Sequence, residues 1–195
     1  MKEEPVEKLD MPESKIKDEH LHFIGDLKKL KHLNISYSWI TDEGVAQISE
    51  LPTLTYLGLA GCRKLTHESI DSLQKIAPHL QRLDLSYTPV GIDGYKKLKN
   101  LPELRDLNVS FNELNDETIK PILALNVDTL TISRNQEITD LTMKRMARMP
   151  RLLDLKIDGC PKITNQAIQA LKQARPGIKI VNTAKKKHED GFPLL

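Results

Sequence analysis

Apolar residues recur along this chain in one figure: a leucine (Val127 in one copy), two residues that are polar except for Leu153, a second leucine, then another apolar residue two positions on and a third after a short gap. The second leucine falls at Leu33, Leu57, Leu83, Leu107, Leu130 and Leu155, in steps of 24, 26, 24, 23 and 25 residues. Ile35, Leu59, Leu85, Val109, Ile132 and Ile157 follow two residues later, and Ile40, Leu65, Val90, Leu114, Ile138 and Ile163 close the figure. The first half alternates with the period of a strand. The second half, as in Val45, Ile48 and Leu51 or in Ile70, Leu73 and Ile76, has helical spacing. Each copy therefore predicts one strand, one turn and one helix.

Helix starts are marked by Thr41-Asp42-Glu43, Asn115-Asp116-Glu117 and Thr164-Asn165, where a side-chain oxygen can cap free N–H groups and early acids suit the helix dipole. Pro52, Pro102 and Pro150 are expected to stop helices, since proline cannot extend the hydrogen-bond ladder and restricts the residue before it. Six copies span 30–177. Val6, Leu9, Met11 and Ile16 make a partial unit over 6–29, and Ile178 and Val181 a terminal strand over 178–182. One continuous solenoid over 1–182 and a polar tail over 183–195 are the expected organisation.

The pattern resembles the leucine-rich repeats, from about Val6 to Asn182. The Thr-Asp-like helix starts and the pairs Gly61-Cys62 and Gly159-Cys160 resemble the cysteine-containing subfamily. The resemblance implies an α/β fold: a leucine-rich-repeat solenoid, curved, with a parallel β-sheet on the concave face and helices on the convex face. That subfamily is found in F-box adaptors of ubiquitin ligases, and similar Thr-Asp-Glu-Gly repeats occur in many bacterial proteins. A fold of this kind hosts many activities, so function has to be argued from the site.

Composition supports a chain that folds without staples: 39% of its 195 residues are hydrophobic, 29% charged and only 4% aromatic. The narrow interior takes aliphatic side chains, which makes each outward-facing aromatic more noticeable. The N-terminal segment is charged and lacks the apolar run of a signal peptide, and no stretch approaches the ~18 apolar residues of a membrane span. A cytoplasmic location is expected. The chain opens inside a half repeat with no polar cap, as expected of a piece cut from a longer protein. Cys62 and Cys160 sit four rungs apart, which at ~4.8 Å per rung is too far for a disulfide. They are expected to be small buried residues of the post-strand turn, at the position held elsewhere by Ser38, Thr88, Asn112 and Asn135, whose side chains would satisfy loop backbone. The six histidines make no metal or catalytic set and are expected on solvated faces. No metal and no cofactor is expected.

If the strands line the inner curve, their outward residues form columns. The first is His32, Tyr56, Arg82, Asp106, Thr129, Asp154 and the second Asn34, Gly58, Asp84, Asn108, Thr131, Lys156. A third, Ser36, Ala60, Ser86, Ser110, Ser133, Asp158, is small enough to let a partner approach the backbone. The fourth, Tyr37, Gly61, Tyr87, Phe111, Arg134, Gly159, places three aromatics and an arginine along one edge, the residue types that dominate interface energetics. Alternatively these rings fold over the turn and shield the core, and Trp39 is divided in the same way. Arg82 and Asp106 are expected to pair across strands.

The face mixes Arg82, Arg134 and Lys156 with Asp84, Asp106, Asp154 and Asp158, and the net charge is +2, so no basic stripe for nucleic acid is present. Nothing there excludes water as a catalytic carboxylate pair would need. Lys185, Lys186 and Lys187 are offset by Glu189 and Asp190 and make no membrane patch. The expected function is a non-enzymatic protein-binding scaffold, a monomer, engaging a protein partner through Tyr37, Tyr56, Arg82, Asp84, Tyr87, Asp106, Phe111, Arg134, Lys156 and Asp158. The alternatives are a substrate-recognition module of a ubiquitin-ligase adaptor or bacterial effector, and a structural module that self-associates end to end through its exposed half repeat.

Overall fold

The computed structural model describes residues 5–48 and 51–183; the lysine-containing C-terminal segment discussed above lies outside the described residues. Eight strands form one open sheet in strict chain order: β1 (Lys8–Asp10), β2 (His32–Asn34), β3 (Tyr56–Gly58), β4 (Arg82–Asp84), β5 (Asp106–Asn108), β6 (Thr129–Thr131), β7 (Asp154–Lys156) and β8 (Lys179–Val181). Every pairing is parallel and in register. Leu33 sits against Leu57, Leu57 against Leu83, and so on to Leu155 against Ile180. The helices between them are α1 (Leu21–Ile24), α2 (Asp42–Gln47), α3 (His67–Ile76), α4 (Gly91–Lys97), α5 (Lys120–Leu123), α6 (Asp140–Met146) and α7 (Asn165–Ala174). Parallel strands repeat every ~4.8 Å, whereas packed helices need 8–10 Å. One layer of each therefore bends, with strands on the inside.

The leucines of the repeat, from Leu33 to Leu155, and the aliphatic residues that follow them are all buried in a single continuous core. Between strand and helix the turn is tied down from inside. Thr88 Oγ1 donates to the Leu59 carbonyl of the previous rung (2.8 Å), Asn112 Nδ2 to Leu85 (2.7 Å), and the Cys62 and Cys160 thiols to Ile35 and Ile132 (3.5 and 3.3 Å). Asn135 does most: Nδ2 donates to the carbonyls of Val109 and Ile132, and Oδ1 accepts from the N–H groups of Asn112 and Leu114. The expected role of this column is borne out, and both thiols are free, buried and pushed up in pKa by that burial.

A second ladder, not anticipated, runs along the helix starts. The Asp18 carboxylate accepts from Thr41 N and Oγ1 (2.8 and 2.7 Å), and the same two bonds join Asp42 to Thr66, Asp116 to Thr139 and Asp140 to Thr164. Each threonine oxygen also accepts from an N–H of its own helix. Gly44 is small for a reason: a Cβ there would lie 1.9 Å from the Asp18 carboxylate.

Two helices differ from expectation. α5 begins at Lys120, five residues after Asn115, because Pro121 has no N–H for the Glu117 carbonyl and disfavours helical geometry just before it. Asn115 still caps the preceding turn, accepting from Glu117 N and Thr118 N at 2.9 Å each. α2 closes at Gln47, so Leu51 lies outside it and donates its N–H to Ile76 at the end of α3. Replacing Asn135 by alanine would take a partner from the Leu114 and Asn112 N–H groups and from the Val109 carbonyl, at about 1–3 kcal/mol for each group left fully unsatisfied, while the Ile132 carbonyl keeps the Cys160 thiol. Asn135→Ala is expected to lose about 3 kcal/mol or more of stability in urea unfolding, with a cooperative transition retained.

Candidate functional site

The sheet face and the turn edge beside it share one scaffold but differ in what they leave free. On the face, the first column stacks as the register requires. The His32 and Tyr56 rings lie 4.1 Å apart and nearly parallel at 5°, and the Arg82 guanidinium sits 5.3 Å from the Tyr56 centroid. Arg82 thus turns toward Tyr56 on rung 3 and forms no ion pair with Asp106 among the described residues, against expectation: the face of the half-buried Tyr56 ring attracts the cation through its quadrupole. His32 is half-buried rather than solvated. Its Nε2 is buried without a hydrogen-bond partner, and burial lowers its pKa.

The second and third columns satisfy each other. Asp84 Oδ1 accepts from Ser86 N (2.8 Å) and Oγ (2.7 Å), and Asp84 Oδ2 accepts from Asn108 Nδ2 (3.1 Å). Asn34 with Ser36 and Asn108 with Ser110 repeat the first pattern. Ser36, Ala60 and Ser110 are buried and Ser86, Ser133 and Asp158 half-buried; at Ser36, Ser86 and Ser110 the Asx residue two positions earlier folds over the serine. Asp158 is likewise engaged, its Oδ1 accepting from Thr183 N and Oγ1. Lys156 is exposed at the end of β7. Asp106 is half-buried, and burial raises its carboxyl pKa, with Lys156 and Arg82 pulling the other way.

The turn edge has a distinct geometry. Tyr37, Tyr87, Phe111 and Arg134 all have positive φ, between 56° and 62°, and Gly61 and Gly159 in the same column have φ of 66° and 70°. For a bulky L-residue that left-handed conformation costs about 1–2 kcal/mol. Glycine would avoid the cost, and in two rungs it does. There it also makes room: a Cβ at Gly61 would lie 2.4 Å from the Tyr37 ring, and one at Gly159 2.5 Å from Arg134 Cδ. Each side chain therefore leans over the glycine of the next rung. Tyr87 meets Phe111 instead, with centroids 4.9 Å apart and planes tilted by 37°. Because Arg134 leans away toward Gly159, a groove of about 520 Å³ opens beside Phe111, lined by Tyr87, Phe111, Glu113, Arg134, Gln136 and Glu137.

Tyr37, Tyr87 and Phe111 are 52%, 41% and 46% exposed, and Trp39 is 63% exposed. The fourth column is thus brought together as one edge, while Tyr56, Arg82 and Asp106 form a separate strip on the sheet. Sequence reasoning missed Arg63 and Lys64, which reach back to these rings: Arg63 lies 5.3 Å from the Tyr87 centroid and Lys64 5.5 Å from that of Trp39. The extra residue in that rung's turn was the available sign. No cluster of three or more potential metal ligands and no helix long and apolar enough to cross a membrane occurs among the described residues.

The repeat, its register and its turn column define a leucine-rich-repeat protein. A Leucine Rich repeat family model matches residues 26–49 and 101–123. Among curated proteins, the chain is similar to the putative RNA-binding protein EEED8.10 of Caenorhabditis elegans, with 24% identity over 172 residues (83% of this chain, 23% of that protein). It is also similar to the F-box protein FBW2 of Arabidopsis thaliana, with 26% identity over 104 residues (49% and 33%). It spans about a quarter to a third of the length of these relatives. Among solved structures, an internalin (inlF) of Listeria monocytogenes superposes with a TM-score of 0.52 at 21% identity, over 91% of this chain and 66% of that one. Rad7, in a yeast complex with Elc1, gives 0.45 at 18% identity, over 82% and 34%.

The position of Asp106 has a consequence for stability. Its folded pKa lies above the unfolded value near 3.8, so the folded state binds that proton more tightly and stability falls as pH rises through the folded value. Asp106→Asn removes the ionised form and is expected to raise the melting temperature at pH 7 and leave it unchanged near pH 3, as read by scanning calorimetry at both.

Proposed function

We propose that this chain is a non-enzymatic protein-interaction scaffold whose partner lies across the concave face and is anchored on its turn edge by Tyr37, Tyr87, Phe111 and Arg134. The observation that supports this reading most is the set of exposed rings held in a left-handed turn. A ring kept at a conformational cost, half in solvent, beside a groove of side-chain size, suits contact with another molecule better than it suits folding. Much of the sheet face is occupied by its own hydrogen bonds, so Arg82, Lys156 and Asp106 serve as charged margins around those anchors. The preformed surface loses little entropy on binding, which lets a few anchors carry the affinity.

The narrower reading, a substrate-recognition module of a ubiquitin-ligase adaptor or bacterial effector, is favoured by the F-box protein among the relatives. A different reading, end-to-end self-association, is favoured by an apolar recess of about 400 Å³ beside β1, lined by Leu9, Met11, Ile16, Phe23, Ile24 and Leu27. One experiment separates them: capture from native lysate with wild type and with a Tyr37→Ala, Tyr87→Ala, Phe111→Ala variant shown folded by circular dichroism. Loss of a captured protein with the variant is expected. Equal capture would remove the anchors from the reading, and capture of this chain alone, reduced by Leu9→Glu and Met11→Glu, would support self-association.

A further inference from the structure

The turn edge carries three cations, Arg63, Lys64 and Arg134, that are in no ion pair among the described residues. Many exposed basic side chains elsewhere are paired: Lys31 with Glu7, Lys96 with Asp93, Arg151 with Asp128 and Lys162 with Glu137. Arg63 and Lys64 instead lie against the rings of Tyr87 and Trp39, and Arg134 leans over Gly159. None of the three is in an ion pair among the described residues. A ring face attracts a cation through its quadrupole but leaves the charge in place. From Tyr37 through Pro89, the turn positions of three successive rungs hold Tyr37, Trp39, Arg63, Lys64 and Tyr87 and no acidic residue. Acids stand at the two margins: exposed Glu13 in the matching turn of the rung before Tyr37, where its N–H donates to the Ser36 carbonyl, and Glu113 in the groove beside Phe111, while Glu137 is held by Lys162.

We infer that the partner engaged at this edge is a protein presenting an acidic segment with interspersed apolar residues. Its carboxylates meet Arg63, Lys64 and Arg134, and its apolar side chains lie on Trp39, Tyr87 and Phe111, one of them entering the groove beside Phe111. The inference rests on the turn edge being the binding surface and adds the charge of what binds there. Single-stranded RNA would also bring anions and flat rings, but stacking platforms for it combine their aromatics with a continuous basic groove that follows the backbone. Here the cations sit on two rungs separated by Tyr87, Pro89, Phe111 and Glu113.

Fluorescence anisotropy at low and high salt tests this with three labelled probes: a short peptide alternating Glu with Leu and Phe, its Lys-for-Glu counterpart, and a U-rich RNA oligonucleotide. The acidic peptide is expected to bind, more weakly at high salt, and to lose about tenfold or more in affinity with Arg63→Glu plus Lys64→Glu. Both residues are exposed, and circular dichroism checks that the variant folds. Tighter binding of the Lys peptide, binding of RNA alone, binding of no probe, or acidic-peptide binding indifferent to the charge reversal would overturn the inference. Lysate capture separates the two levels. If the charge-reversed variant keeps a partner that the triple ring variant loses, the acidic partner falls and the anchors stand. If the ring variant loses nothing, the anchors fall first.

Discussion

A parallel solenoid turns its chain twice in every rung, and the turn that follows each strand carries buried backbone groups that neither strand nor helix satisfies. In this protein a single inward side chain per rung meets that need: Ser38, Cys62, Thr88, Asn112, Asn135 and Cys160 reach carbonyls of their own rung or the rung before. The register of the sheet, the continuity of the leucine core and the placement of the outward columns all depend on these bonds repeating at one position. Asparagine answers the need with both donors and an acceptor, and cysteine only with a weak donor. The rungs at Asn112 and Asn135 are therefore the best tied, and they adjoin the Tyr87–Phe111 pair.

Tying the turn from inside sets what the neighbouring position must do outside. The residue before each inward side chain is forced into the left-handed region, and its side chain is carried to the edge of the sheet. At Gly61 and Gly159 the previous rung's Tyr37 or Arg134 leans over the glycine; at Phe111 the Tyr87 ring meets another ring. On the face, Asx–Ser hydrogen bonds engage Asn34, Asp84 and Asn108, whereas the edge carries exposed rings and cations in no ion pair among the described residues.

Much of this was legible in the sequence. The spacing of leucines located all six central strands, and the register then made the columns readable as written. The inward role of the cysteines followed from their alignment with Ser38 and Asn135. What was not legible depends on side-chain direction rather than period. Arg82 turns to Tyr56 instead of Asp106, Ser36, Ser86 and Ser110 of the third column are folded over by Asn34, Asp84 and Asn108, and Asp18 reaches Thr41 across a rung. Periodicity places a Cα; it does not choose among rotamers that reach partners at similar distance. The late start of α5 was foreseeable from Pro121, whose missing N–H outweighs the cap at Asn115.

Whether the edge rings serve binding or shield the core is decided most directly by the equilibrium stability of Tyr87→Gly and Phe111→Gly in urea. Glycine relieves the left-handed strain, by about 1–2 kcal/mol, and forfeits ring packing and some chain entropy. If the rings are held for binding, each variant should remain within about 1 kcal/mol of wild type. A loss near the 3–5 kcal/mol typical of removing a core aromatic would mean that the rings belong to the fold and that the binding surface lies elsewhere.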